Sequence, residues 1–386
     1  MVKTAARVKI EHGPGVAAIV AALGAARFVG GCVRDAMAGQ SATDIDLATP
    51  LPPAEVMAQL EGAGIKVIPT GLDHGTVTAV AQGETVEITT LRRDVATDGR
   101  RATIAYTDDW REDAARRDFT INALYADPET GAVTDYFGGV DDLAAGIVRF
   151  IGPPLARIAE DHLRILRFFR FHARFGKAAP DPEGLAACAA RANDLMALSR
   201  ERIADELLKI LALADPAPIV ALMIAHGIFA PVLPEIVAAA PLARLIPREA
   251  ECGGDPVRRL ASLLPADPRC ADEVSARLKL SRAQRKRLNT AAARVTSDQL
   301  NPEALAYWLG KERAVDRLLL GEGDANALAN WVSPIFPLTG GAIVARGVLA
   351  GPEVARILSV VEHQWVAEGF PDAGRVSAIA DAVIAR

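Results

Sequence analysis

Two aspartates, Asp44 and Asp46, stand one residue apart in the stretch RFVGGCVRDAMAGQSATDIDLAT. Strand spacing over Thr43-Asp44-Ile45-Asp46-Leu47 sends both carboxylates to one face while Ile45 and Leu47 face a core, and like charges side by side repel. A solvated edge strand tolerates such a pair. A divalent cation removes the repulsion, and carboxylate oxygens at this spacing suit Mg²⁺ shared with substrate phosphates. Just upstream, Gly30-Gly31 separates a strand-like RFV from a helix-like CVRDAMAG. Glycines there let backbone N–H groups approach an anion, the helix N-terminus adds a favourable dipole, and Arg34 falls in the first turn as a bidentate partner. A plain tight turn is the alternative for the glycines alone. As a unit, these residues ask for a nucleoside triphosphate. A third acid, Glu87, alternates with Val86 and Ile88 in ETVEITT; it is either a further metal ligand or an exposed glutamate.

Two later stretches carry the rest of the chemistry. Arg116-Arg117-Asp118 leads into Phe119-Thr120-Ile121-Asn122-Ala123-Leu124, a short apolar helix seed. Its arginines are either solvated beside a capped helix or hold phosphates, with Asp118 accepting from a ribose hydroxyl. In EDHLRILRFFRF, helical spacing puts Glu160, Asp161, Arg164 and Arg167 in one sector, with Ile165, Leu166 and Phe169 opposite. An i,i+3 salt bridge between Asp161 and Arg164 is one expectation. The other uses their hydrogen-bond polarity: cytosine and adenine both show an exocyclic amine beside a ring-nitrogen acceptor, so a carboxylate with a guanidinium selects C and A and refuses G and U.

The elements that must position these residues fall into two textures. Over about residues 25–137, β-branched runs (RFVGG, DIDLAT, IKVIPTG, GTVTAVAQG, ETVEITTLR) alternate with turns and helix-like CVRDAMAG and PPAEVMAQLEGAG, which predicts an α/β domain with a mixed sheet. The polar VATDGRRATIAYTDDW, with a turn at Asp98-Gly99, reads as a mobile loop over the site. Beyond Asp135-Tyr136-Phe137-Gly138-Gly139 the chain is alanine, leucine and arginine at helical spacing, broken by prolines, and should be all helix. The 386 residues exceed one core, and no apolar run is long enough to span a bilayer. The start lacks the apolar core of a secretory signal, so a cytoplasmic location is expected. Cys32, Cys188, Cys252 and Cys270 lack zinc or disulfide spacing. A net charge of −5 excludes a wholly basic nucleic-acid coat while leaving room for a local basic face.

The ordered set VGGCVRD, DIDLAT, WREDAARRDFTINAL, DYFGG, EDHLRILRFFRF and SRERIADEL, spanning about residues 27–210, closely resembles the class II CCA-adding tRNA nucleotidyltransferases and the related bacterial poly(A) polymerases. The resemblance implies an α/β head at 1–137, a helical neck at 138–210 that reads the nucleotide base, a body at 211–268 and a tRNA-binding tail at 269–386. It further implies that Gly31 and Arg34 touch the triphosphate and that Asp44 and Asp46 hold Mg²⁺. Arg117 and Asp118 would contact phosphate and ribose, and Asp161 and Arg164 would read the base. Arg167 and Arg170 would surround the nucleotide, and Glu201 and Arg202 would brace the neck. Its substrates would be tRNA, CTP and ATP, with no membrane or zinc involved. His74 is expected at a turn, and His162 away from the base-reading face.

The runner-up is a poly(A) polymerase, but the arginine-rich signature such relatives carry after the DxD strand is missing from LPPAEVMAQLEGAGIKVIPTGLDHGTVTAV. The full-length stretch 95–110 also favours an enzyme that adds the final A. A tRNA-binding protein with a dead head is the third reading, against which intact Asp44 and Asp46 count. In the tail, LKLSRAQRKRLNTAAARV gathers Arg282, Arg285, Lys286, Arg287 and Arg294, which either follow an RNA backbone or form a solvated helix face. The absence of an H-D pair of the metal-hydrolase kind argues against phosphohydrolase activity.

Overall fold

The structure, a computed structural model, describes residues 6–42, 44–98, 101–321 and 323–385, with backbone alone at 94–98 and 101–104. It divides into two compact units, Met1–Pro234 and Glu235–Arg386.

The first unit opens with α1 (Pro14–Leu23), whose first turn donates backbone N–H groups from Gly13 and Gly15 to the Glu84 carboxylate at 3.0 and 2.8 Å. Its strands are β1 (Arg27–Val29), β2 (Asp46–Thr49), β3 (Lys66–Gly71), β4 (Thr76–Ala81), β5 (Glu84–Thr90), β6 (Arg92–Asp98), β7 (Arg101–Tyr106), β8 (Leu124–Ala126) and β9 (Val133–Asp135). The helices α2 (Gly31–Met37), α3 (Pro53–Gly62) and α4 (Trp110–Ala115) lie between them. The main sheet runs β3-β4-β5-β2-β1-β8-β9 and is mixed as expected: β2 and β5 are parallel, and every other pairing is antiparallel.

Strand alternation places the chemistry. Phe28, Leu47, Val86 and Ile88 share a core with Ile19, Val56 and Leu60 of α1 and α3. Val29 and Ala48 belong to a second core with Ala114, Ala123 and Tyr125. Asp46 therefore shares the face of Ala48, away from α1 and α3. The parallel β2–β5 register sets Glu87 directly beside it.

Three local expectations are corrected. The stretch read as a loop is a paired hairpin, β6 with β7, although Gly99 of its expected turn lies outside the described residues, as does Thr43 before the aspartates. β-pairing satisfies backbone groups that a loop would leave to water. The helix seed after Asp118 is a single 3-10 turn, Thr120–Asn122, followed by β8, whose residues are all buried because β8 lies between β1 and β9. Finally, the helix expected through 160–171 breaks: α5 (Gly139–Ala145) and α6 (Pro154–Glu160) precede an extended Asp161 (φ −149°, ψ 107°), and α7 (Arg164–Phe175) starts anew. Asp161 Oδ1 accepts from the Leu163 N–H at 3.1 Å, a turn that competes with helix continuation.

Beyond Asp135 the described elements are helical. α7 buries Ile165, Leu166, Phe168, Phe169, Phe171 and Phe175, and Phe168 stacks on Phe150 at 5.7 Å between ring centroids. α8 (Pro182–Ala190), α9 (Arg200–Leu211) and α10 (Ala217–Ala225) complete the unit.

The second unit comprises α11 (Ala240–Arg248), α12 (Pro256–Leu263), α13 (Pro268–Arg277), α14 (Arg282–Ala292), α15 (Pro302–Leu309), α16 (Lys311–Leu320), α17 (Gly340–Val344), α18 (Pro352–Ala367) and α19 (Ala373–Ile384). Its interior holds a charge network in which buried Arg258 and Arg259 pair with Glu249, and Arg258 also pairs with Asp316 at 2.9 Å.

Candidate active site

Within the first unit a cleft of about 780 Å³ is lined by Gly30, Gly31, Arg34, Asp44, Asp46, Glu87, Arg117, Asp118, Asp161, Arg164, Arg167 and Arg170. Residues drawn from stretches more than a hundred positions apart thus meet in one place. Arg116, Asn122, Phe171 and Lys209 join them. Of these, Phe171 and Lys209 carried no signal in the sequence beyond helical spacing.

At the acidic end, burial pushes the Asp46 carboxyl up to about 6, the neighbouring Glu87 and Asp44 charges add to the rise, and Arg117 opposes it. Such mutual repulsion is what a bound cation would relieve. Among the described residues no three His, Cys, Asp or Glu side chains close into a ready-made metal site. The donor set fits an ion held by two carboxylates together with a substrate's phosphates rather than by a protein cage.

At the glycine turn, Gly30 has φ +71° and ψ −118°, a conformation open only to glycine, and a Cβ there would lie 3.2 Å from Arg117 Nη1. Arg117 is thereby set against the turn that starts α2. It donates from Nη2 to buried Asp113 at 3.2 Å. Arg34 differs from expectation: it is buried, its Nε and Nη2 donate to Asp35 at 2.8 and 2.7 Å, and its Nη1 donates to Asn122 Oδ1 at 2.5 Å. Its guanidinium also lies over the Phe171 and Phe175 rings at 5.0 and 4.5 Å. With every nitrogen engaged, Arg34 serves the cleft as a fixed positive charge more than as a bidentate fork.

Asp118 is locked to α7, since Arg167 Nε donates to its Oδ2 at 2.7 Å while Asn122 and the Phe119 N–H donate to its Oδ1 at 2.9 and 2.8 Å. Burial raises its carboxyl, yet Arg167 and these donors bring it below the ordinary carboxylate range. Arg170 pairs with buried Glu206.

The expected Asp161–Arg164 bridge does not form, because the chain break turns the two side chains to other partners. Asp161 Oδ2 accepts from Arg202 at 2.8 Å. Arg164 donates to Glu160 Oε2 at 2.7 Å, and to the carbonyls of Arg157 and Arg116 at 2.8 and 3.1 Å. Each is therefore held independently at the cleft wall. His162 lies 3.6 Å from Asp194 and is not among the lining residues.

The basic residues that the sequence groups around α14 have different surroundings. Arg287 turns inward, donating to Asp316, Asp255 and Glu312 at 2.6, 2.8 and 2.7 Å, and Arg285 is paired in parallel with Asp272 at 2.8 Å. Arg294 is half-buried against the carbonyls of Ala291 and Leu264. Arg282, Arg285 and Lys286 are exposed on α14, Arg285 within its surface pair with Asp272.

Residues 26–149 match the family model described as the poly A polymerase head domain, and residues 179–239 match that of the probable RNA and SrmB- binding site of polymerase A. The Homo sapiens protein named CCA tRNA nucleotidyltransferase 1, mitochondrial, is 34% identical over 89% of this chain and 83% of its own. This chain belongs to the class II CCA-adding tRNA nucleotidyltransferase and poly(A) polymerase family. It is a nucleotidyltransferase. Within the family, the CCA-adding enzyme of Oceanobacillus iheyensis is 43% identical over 47% of this chain and 45% of its own. The crystal structure of the Bacillus stearothermophilus CCA-adding enzyme in complex with CTP superposes with a TM-score of 0.74 at 25% identity, covering 92% of this chain and 94% of that one. No described helix is long and apolar enough to cross a membrane.

Proposed function

We propose that this chain adds CCA to the 3′ end of tRNA without a template, using CTP and ATP and releasing pyrophosphate, and that the one cleft serves every addition. The observation that carries this reading is the meeting, in a single cleft, of a carboxylate pair, a glycine turn backed by Arg117, and the separately held Asp161 and Arg164. Family membership supplies the reaction class: the RNA 3′-hydroxyl attacks the nucleotide's α-phosphate. Asp44 and Asp46, with Glu87 beside them, would hold Mg²⁺, which supplies charge neutralisation at the attacking and leaving oxygens. Gly31 and Arg117 take the triphosphate, with Arg34 contributing charge behind them. Asp118, fixed by Arg167, faces the ribose, and Arg170 completes the arginine wall. Asp161 accepts from the exocyclic amine of C or A while Arg164 donates to the adjacent ring nitrogen. Arg202 braces Asp161 from the neck.

The division into head 1–137, neck 138–210, body 211–268 and tail 269–386 belongs to the same reading, with the exposed Arg282, Arg285 and Lys286 as the tail residues available to an RNA backbone. So does a cytoplasmic location, the point on which the Homo sapiens relative, named as mitochondrial, differs; fractionation of cells expressing a tagged chain tests it. The decisive assay incubates the purified chain and Mg²⁺ with tRNA lacking its last three nucleotides, giving CTP and ATP separately and together. C addition from CTP and completion with both is expected. Long adenosine tails from ATP alone would instead establish the poly(A) reading, and no incorporation would leave a tRNA-binding protein.

A further inference from the structure

One carboxylate that does not line the cleft governs two arginines that do. Asp113 of α4 is almost wholly enclosed, with 1% of its side chain exposed. It accepts from Arg116 Nε at 2.8 Å, Arg117 Nη2 at 3.2 Å, the Tyr125 hydroxyl at 2.7 Å and the Arg92 backbone N–H at 3.3 Å. Arg92 is the first residue of the β6–β7 hairpin. The adjacent Glu112 takes the other foot, accepting from Thr107 Oγ1 at 2.7 Å, and the Thr107 N–H donates to the Leu91 carbonyl at 3.0 Å. Both feet of the hairpin thus rest on neighbouring residues of α4, whose chain continues directly into Arg116 and Arg117. From the opposite side, Arg157 Nη2 holds the Arg116 and Arg117 carbonyls at 2.6 and 2.5 Å. With the backbone pinned, Asp113 is the carboxylate shared by both guanidiniums, and the Tyr125 ring, 5.5 Å from the Arg117 guanidinium, backs it. Burial drives the Asp113 carboxyl up, but Arg117, Arg116 and Tyr125 outweigh that and bring its pKa down to about 2.

We propose that Asp113 is the positioning residue of the triphosphate grip: it aims Arg116 and Arg117 into the cleft and ties that aim to the root of the β6–β7 hairpin. The proposal rests on the nucleotidyl-transfer reading above. A charge-assisted pair transmits geometry as well as energy, so moving or neutralising this carboxylate misdirects donors without touching substrate. Displacement of the hairpin reaches the same arginines through the Arg92 N–H.

The test uses the full chain and three readouts: equilibrium binding of CTP, ATP and inorganic tripolyphosphate, kcat and KM for C addition to tRNA lacking CCA, and melting temperature. Asp113→Asn should raise the Kd for tripolyphosphate and for both nucleotides by about tenfold, and KM by a similar factor, with kcat changed less. Asp113→Glu keeps the charge but shifts it by a methylene; it should bind tripolyphosphate with intermediate affinity, and it decides the question alone if the asparagine variant does not fold. Replacing residues 94–104 by a short Gly-Ser turn should weaken tripolyphosphate binding in the parent and add nothing in Asp113→Asn. A lowered melting temperature with unchanged tripolyphosphate affinity in both Asp113 variants overturns the positioning role. Additive effects of the hairpin and Asp113 changes overturn the coupling. Failure of the parent chain to incorporate C or A would strike the proposed function instead, and tripolyphosphate binding would still judge Asp113.

Discussion

A carboxylate's environment, more than its identity, decides what it does in this cleft. Asp161 is aimed by Arg202 and by a turn, whereas Arg164 is aimed by Glu160 and two carbonyls, so neither depends on the other for its orientation. Removing one should therefore leave the other in place. Asp161→Ala is expected to cost about 1 to 3 kcal/mol of discrimination, letting UTP and GTP compete with CTP and ATP in kcat/KM at each addition. Arg202→Ala, which frees Asp161 without deleting it, should erode the same preference by less. Unaltered ratios among the four nucleotides in both variants would rule out base reading by Asp161.

At the scale of elements, α4 is short, and its stability comes from what it holds together. Asp113 has an ordinary carboxylate pKa when unfolded and one of about 2 in the folded chain, where burial is outweighed by Arg117, Arg116 and Tyr125. A depressed folded value stabilises above the unfolded pKa, and that contribution disappears as pH falls from about 4 through 2. Asp113→Asn should accordingly lose on the order of 2 kcal/mol at pH 7 and show a flatter decline in stability between pH 4 and 2 than the parent. Urea titrations at pH 7, 4 and 3 measure both; a parallel decline in the two proteins would show that Asp113 is not the titrating group. The aromatic wall of α7 acts differently, through packing: Phe168 is fully buried against Phe119, Phe150 and Phe169 and keeps the arginine face of α7 towards the cleft.

Over the whole molecule, charge is distributed by pairing. Net charge is −5, yet the first unit lines one cleft with six arginines while the second consumes many of its own in internal ion pairs. The basic residues of α14 split accordingly. Arg282→Ala and Lys286→Ala together should flatten the salt dependence of tRNA binding, by up to about 0.9 in log–log slope for each RNA phosphate that is no longer neutralised, with little change in melting temperature. Arg287→Ala should do the reverse, since it strips one partner from buried Asp316. Filter binding across a salt series with parallel thermal melts separates the two, and a reduced slope in Arg287→Ala would return that residue to the RNA face.

Motif chemistry and strand periodicity were sufficient to identify the family, the mixed sheet, the face of Asp46 opposite Leu47, and the change to helix after Asp135. These follow from local rules: alternation in a strand, amphipathic spacing in a helix, and the narrow set of residues that handle phosphate. What only the tertiary structure decided concerns partners. That Glu87 adjoins Asp46 depends on a parallel register between strands about forty residues apart. That residues 92–106 form a hairpin rather than a loop, that β8 is a buried strand, and that the helix breaks at Asp161 are outcomes of competition for backbone hydrogen bonds across the fold. The same arginine spacing on α14 yields an exposed Lys286 and an enclosed Arg287, because a side chain's fate is set by which carboxylates the neighbouring helices bring to it, and no local pattern encodes that distance.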